Sequence, residues 1–151
     1  MQARMTSIAV LVPDAVKALI AFAKTGQNAG VPESTVNLVN LRASQINGCS
    51  VCTEMHARDM RKAGESDERI FAVAAWRDAP YFTGPERAAL ALAEAATRLA
   101  DRPDAVPGDV WEEAARHYDE RALASLIIAI ATINAFNRLN VPARQQSGQR
   151  W

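Results

Sequence analysis

Apolar residues at helical spacing, punctuated by start and stop signals, recur along this chain from end to end, and no strand-like alternation is backed by hairpin chemistry. That pattern predicts an all-α fold. A first helix is expected from Asp14 to Gln27, stopping near Gly30, and a second begins after Val31 with Pro32 in its first turn and runs toward Gln45. Asn47 and Gly48 both tolerate left-handed backbone and should end that helix, so a third starts at or near Cys49 and stops at Gly64. Ser66 opens a short helix through Trp76. Thr83 with Glu86 is a capping-box signature, with Pro85 in the first turn, and leads an Ala- and Leu-rich helix to about Ala100. After a Pro-rich connection over 102–108, an amphipathic helix covers about Asp109 to Tyr118. The most apolar helix follows from Asp119 to Leu139, with Leu126, Ile127, Ile128, Ile130 and Ile133 on nearly all its sides, as befits a central helix or one at a subunit interface.

A chain of 151 residues without repeats or internal linkers fits one domain, 1–151, large enough to form its core without disulfide or metal staples. Seventeen basic and seventeen acidic residues cancel, so the whole-chain charge gives no argument for a nucleic acid partner. The apolar run from Ile8 to Val12 is cut by Pro13 and Asp14 short of signal-peptide length, and Leu123 to Ile133 falls short of a membrane span and is interrupted by Ser125 and Thr132. The expectation is a cytoplasmic protein with no membrane partner. In a reducing compartment a CxxC pair points to catalysis or metal binding rather than to a permanent staple.

Residues 47–56 read NGCSVCTEMH and hold both cysteines and one of the two histidines. On a helix Cys49, Cys52 and His56 fall within about 60° of one another. They share a face, beside Met60 and Ala63, opposite Glu54, Arg58, Arg61 and Lys62. A free thiol is only a few per cent ionised at neutral pH, whereas the thiolate is the nucleophile toward peroxides and disulfides. The helix start and an imidazole one turn away both favour the anion. Cys52, four positions before His56, is therefore expected to attack a hydroperoxide, with Cys49 resolving the sulfenic acid as a disulfide that an outside dithiol reduces.

Other readings use the same residues differently. Cysteine and a lone histidine on an apolar face can be plain core residues. CxxC plus His56 supplies three zinc ligands, and a structural or ligand-binding oligomer would result if His117 or a partner completed the site. A c-type haem motif would need histidine where Thr53 stands, and a thioredoxin-like motif would need a βαβ neighbourhood.

The stretch LRASQINGCSVCTEMHARDMRKAGE, Leu41 to Glu65, resembles the core of the AhpD-like alkylhydroperoxidases within the carboxymuconolactone decarboxylase superfamily. The likeness extends through Trp76, 80–83, 86–90 and 133–138. It implies an all-α homotrimer or homohexamer and a thiol-dependent peroxidase with no tightly bound cofactor, its disulfide reduced by a lipoyl dithiol or similar carrier protein. By the same likeness Cys49 and Cys52 are the redox pair and His56 is the proton relay. The family's relay glutamate, twelve positions before the first cysteine, is Asn37 in this chain, and Glu33 lies one turn earlier. A decarboxylase-type enzyme of the wider superfamily is the remaining alternative. Trp76, Tyr81 and Phe82 are read as packing residues, and Asn134, Asn137 and Arg138 as groups that tie down neighbouring loops.

Overall fold

The computed structural model describes residues 2–148, which form eight α-helices and, among the described residues, no strand. These are α1 (Ile8–Leu11), α2 (Pro13–Thr25), α3 (Glu33–Asn47), α4 (Ser50–Lys62), α5 (Asp67–Ala72), α6 (Gly84–Thr97), α7 (Gly108–His117) and α8 (Glu120–Ala143). The all-α expectation is met, and most boundaries fall where Pro, Gly and capping residues place them. Pro32 is the N-cap of α3 rather than a residue of its first turn. At α6 the capping box is complete, with Thr83 and Glu86 each satisfying the other's backbone.

Three segments differ from expectation. The Ile8 to Val12 run forms the separate short helix α1, because Pro13 supplies no N–H to continue it and instead starts α2. The expected helix from Ser66 to Trp76 tightens into a 3-10 turn at Val73–Ala75. The last helix passes Leu139 and includes Pro142. It ends on Arg144 in left-handed conformation, where the Gln145 N–H reaches the Asn140 carbonyl at 3.1 Å and Arg4 supplies donors to the Pro142 and Ala143 carbonyls. At that length α8 meets the length and hydropathy criteria of a membrane span, unlike the shorter run legible in sequence; α2, α3, α4, α6 and α7 pack against it.

Central to the bundle are α3 and α8, with α4 and α6 packed on α3. One group of buried side chains, including Val39, Leu92, Leu126 and Ile130, joins α3, α6 and α8. A second joins Leu38, Leu41 and Met60 to Trp76, Phe82 and Leu90, so Trp76 and Phe82 pack the core as read from sequence, whereas Tyr81 is exposed. A third is small and consists of Ala43, Cys49, Val51, Cys52 and Ile133. It seats the two sulfurs between the end of α3, the start of α4 and the wall of α8.

Candidate active site

A helix stop and a helix start are fused at Gly48 and Cys49. Gly48 adopts φ 68°, ψ 29°, which glycine tolerates without strain, and the Cys49 N–H closes the end of α3 onto the Ser44 carbonyl at 3.0 Å. Cys49 then turns extended and becomes the N-cap of α4: its Sγ accepts the Cys52 N–H at 3.4 Å, as a serine or aspartate oxygen does at other helix starts. Both cysteines are free thiols and nearly inaccessible, each 2% exposed.

Hydrogen bonding from the Cys52 thiol, then from its backbone N–H, pulls the Cys49 thiol down to about 6, against the opposing push of burial. Cys52 moves the opposite way, because it donates its proton to Cys49 and is itself desolvated beside that negative charge. The two sulfurs are close enough to share one proton, so they titrate as a pair. The sequence expectation places the anion on Cys52 because of the spacing to His56, whereas the mutual hydrogen bond of the two thiols draws the Cys49 side of the pair down.

A layer of amides from α8 fixes this arrangement. Asn47, the last residue of α3, donates its amide to Asn134 Oδ1 at 2.9 Å and Asn137 Oδ1 at 2.8 Å, and Asn137 donates to Ser44 Oγ at 3.3 Å. Arg138 donates to Asn134 Oδ1 at 2.8 Å. These residues anchor the loop that carries Cys49, in agreement with their sequence reading. Asn140 was not singled out from sequence, yet its Nδ2 approaches Cys52 Sγ at 3.4 Å, a contact that favours negative charge on the sulfur pair. It is 88 residues from Cys52 in the chain, and no local pattern marks it.

Cys49 opens onto a cavity of about 320 Å³ lined also by Gly48, Ser50, Asn140, Val141 and the segment Arg144 to Gln146. His56 lines a different cavity of about 430 Å³, together with Glu33, Asn37 and Asn40. The structure thus brings together the family's relay position, now Asn37, and His56, and places Glu33 exposed at the same cavity. His56 Nε2 is buried without a hydrogen-bond partner. Burial holds the imidazole down at about 4, only partly offset by the charge of Asp59, so it is neutral at pH 7. Met60 is buried on the inner side of α4 as expected, whereas Ala63 is exposed because it is the C-cap residue. Among the described residues no three His, Cys, Asp or Glu side chains are grouped so as to hold a metal ion, and His117 pairs with Glu113 at 3.2 Å.

Comparison with known proteins places this geometry. The chain is 32% identical over 131 residues to the protein YdfG of Bacillus subtilis (strain 168), a match spanning 87% of this chain and 88% of that protein. A 43-residue stretch is 44% identical to the alkyl hydroperoxide reductase AhpD of Bradyrhizobium diazoefficiens, covering 28% of this chain and 24% of that enzyme. The crystal structure of an Agrobacterium tumefaciens protein of unknown function, suggested to be the antioxidant defence protein AhpD, superposes with TM-score 0.89 at 33% identity, covering 99% of this chain and 100% of that one. Residues 13–95, which include α2 to α5, the cysteine pair and most of α6, match the model of the carboxymuconolactone decarboxylase family. The chain belongs to the carboxymuconolactone decarboxylase family and has the AhpD-like fold.

Proposed function

We propose that the chain is a thiol-dependent peroxidase or disulfide reductase of antioxidant defence, in which Cys49 and Cys52 cycle between dithiol and disulfide. The observation that carries this reading is the Cys49 sulfur at the N-cap of α4, accepting the Cys52 N–H at 3.4 Å and backed by a second thiol one turn away. With a pKa of about 6, that sulfur is roughly 30-fold more ionised at pH 7 than an ordinary thiol near 8.5. The thiolate attacks one oxygen of a hydroperoxide, the O–O bond breaks, and the leaving oxygen takes a proton from solvent and departs as the alcohol. Cys49 is left as sulfenic acid. The Cys52 sulfur then forms the S–S bond, and the sulfenic oxygen leaves as water with the Cys52 proton. Neutral His56, one helical turn after Cys52, is the group able to accept that proton in passing. An external dithiol, a lipoyl group on a carrier protein or a similar compound, attacks the Cys49 sulfur at its opening and returns both thiols while closing its own disulfide.

Copies of the chain associate through the first two helices as a homotrimer or homohexamer in the cytoplasm. Neither helix has a buried residue, and Val10, Leu11, Val12, Ile20 and Phe22 are all exposed, a concentration of apolar surface that association would cover. The test of the activity is stopped-flow oxidation of the reduced protein by cumene hydroperoxide. One equivalent of peroxide should produce one equivalent of cumyl alcohol and one Cys49–Cys52 disulfide, which dihydrolipoamide reduces. In His56→Gln, sulfenic acid formation should keep its rate while disulfide closure slows. Peroxide left unconsumed by the reduced wild-type protein overturns the reading.

A further inference from the structure

Arg144 stands where the backbone calls for glycine. It is the C-cap of α8 at φ 51°, ψ 44°, a left-handed conformation that glycine adopts freely and a residue with a Cβ does not. The cation that a helix C-terminus favours is already supplied by Arg4, whose Nη1 donates to the Pro142 carbonyl at 3.1 Å. The Arg144 side chain is exposed, and among the described residues it makes no hydrogen bond or ion pair. What it does reach is the 320 Å³ opening at Cys49, where it is the one charged side chain among the described lining residues. The neighbouring polar groups are neutral, and two are already engaged: Asn140 points its amide at Cys52 Sγ at 3.4 Å, and Gln145 donates to the Met5 carbonyl at 3.1 Å. A free cation thus stands beside the sulfur that reacts, with no carboxylate among the described lining residues to neutralise it. An opening of this volume suits a small molecule. A guanidinium is a planar fork of donors that matches a carboxylate with two parallel hydrogen bonds, and one cation balances the single charge of a carboxylate better than the two of a phosphate ester.

We infer that Arg144 determines specificity at the Cys49 opening, holding the carboxylate of a small organic acid whose reactive group meets the sulfur. The inference rests on the reading of Cys49 as the reactive thiol and names the substrate class of that site. The acid is either the oxidant, a hydroperoxide that carries a carboxylate, or the dithiol that reduces the disulfide. Both make the same contact with the guanidinium.

The test is alkylation of Cys49 in the reduced protein by iodoacetate and by iodoacetamide, reagents alike in size and leaving group that differ in charge. With each, the sulfur displaces iodide and forms an S–C bond. A change in Cys49 ionisation alters both rates alike, so their ratio reads the charge at the opening. In Arg144→Gly, which suits the backbone, the iodoacetate-to-iodoacetamide ratio should fall roughly three- to fivefold, and Arg144→Lys should restore most of it. The wild-type ratio should fall likewise as ionic strength rises from about 0.01 M to about 1 M. A ratio unchanged in Arg144→Gly overturns the inference, and so does a wild-type ratio indifferent to salt, which decides the matter even if the variant does not fold. Two reactant pairs identify the source. 4-Carboxycumene hydroperoxide against its methyl ester, with reduced protein, tests the oxidant. Dihydrolipoate against dihydrolipoamide, with the disulfide formed by diamide, tests the reductant. Preference for the acid in one pair assigns the carboxylate to that reactant, and preference in neither overturns the inference. If both peroxides are left unconsumed, the peroxidase reading fails, and the alkylation ratio and the second pair still decide this one.

Discussion

Cys49→Ser is expected to lower peroxide turnover by roughly a thousandfold or more and to prevent trapping of a sulfenic acid by dimedone, because a serine hydroxyl is not ionised at neutral pH. Cys52→Ser should behave differently. It removes the resolving thiol, so turnover through the disulfide stops, but Cys49 retains the N-cap position, the Cys52 backbone N–H and the α4 N-terminus. The first oxidation should therefore proceed, and the sulfenic acid should accumulate and be trapped on Cys49. Part of the anion's stabilisation comes from the Cys52 thiol itself, which a serine hydroxyl replaces as donor with a different length and acidity. The attack rate at pH 7 should accordingly fall by less than about tenfold, set against the loss of the whole reaction in Cys49→Ser. Peptide mapping after dimedone treatment reads both outcomes. Trapping on Cys52 in Cys49→Ser, with none in Cys52→Ser, would restore the roles that the His56 spacing suggests.

The second large effect concerns stability and lies away from the sulfurs. Glu94, 6% exposed on α6, accepts from Arg42 Nε at 2.7 Å, Arg77 Nη1 at 2.6 Å and Trp76 Nε1 at 3.0 Å. It thereby ties α3 and the turn after α5 to α6. Glu94→Ala leaves the largely buried Arg42 guanidinium without its carboxylate, a change that costs about 3–5 kcal/mol when a buried ion pair loses one partner. For a chain of this size that corresponds to a fall in Tm of about 10 °C, measurable by calorimetry. The same group predicts an acid limb. Burial alone would push the Glu94 carboxyl up, but donors from Arg77, Trp76 and Arg42 outweigh it and hold the group at about 2, against an ordinary 4.5. A depressed folded-state value means the unfolded chain takes up the proton first. Stability from Glu94 is thus complete above about 4.5 and is lost as pH falls toward about 2. In Glu94→Gln that part of the acid dependence should be absent, and an acid limb as steep as wild type would contradict the assignment.

The architecture was largely legible because its punctuation is local. Gly48, Thr83 with Glu86, and Pro13 each act through their own backbone geometry, and each marks a helix end in the structure. The extension of α8 past Leu139 was not legible, since its last carbonyls are served by Arg4 from the far end of the chain. That a helix carrying Cys52 and His56 starts at Cys49 was also visible, from the Asn47-Gly48 stop before it. The bond from the Cys52 N–H to the Cys49 sulfur was not, since i, i+4 spacing reports side-chain neighbours alone. Asn140 was missed for a related reason: its significance lies in the sulfur that faces it across the fold.

The claim on which the rest depends is that the reduced protein ionises at Cys49. Its most direct test is residue-resolved alkylation: limiting iodoacetamide is added to reduced wild-type protein at a series of pH values, and modification of each cysteine is quantified by mass spectrometry. The account predicts modification of Cys49 with a midpoint near 6, with Cys52 unmodified until pH is far above neutral. Modification of Cys52 first, or a Cys49 midpoint near that of an ordinary thiol, would contradict it.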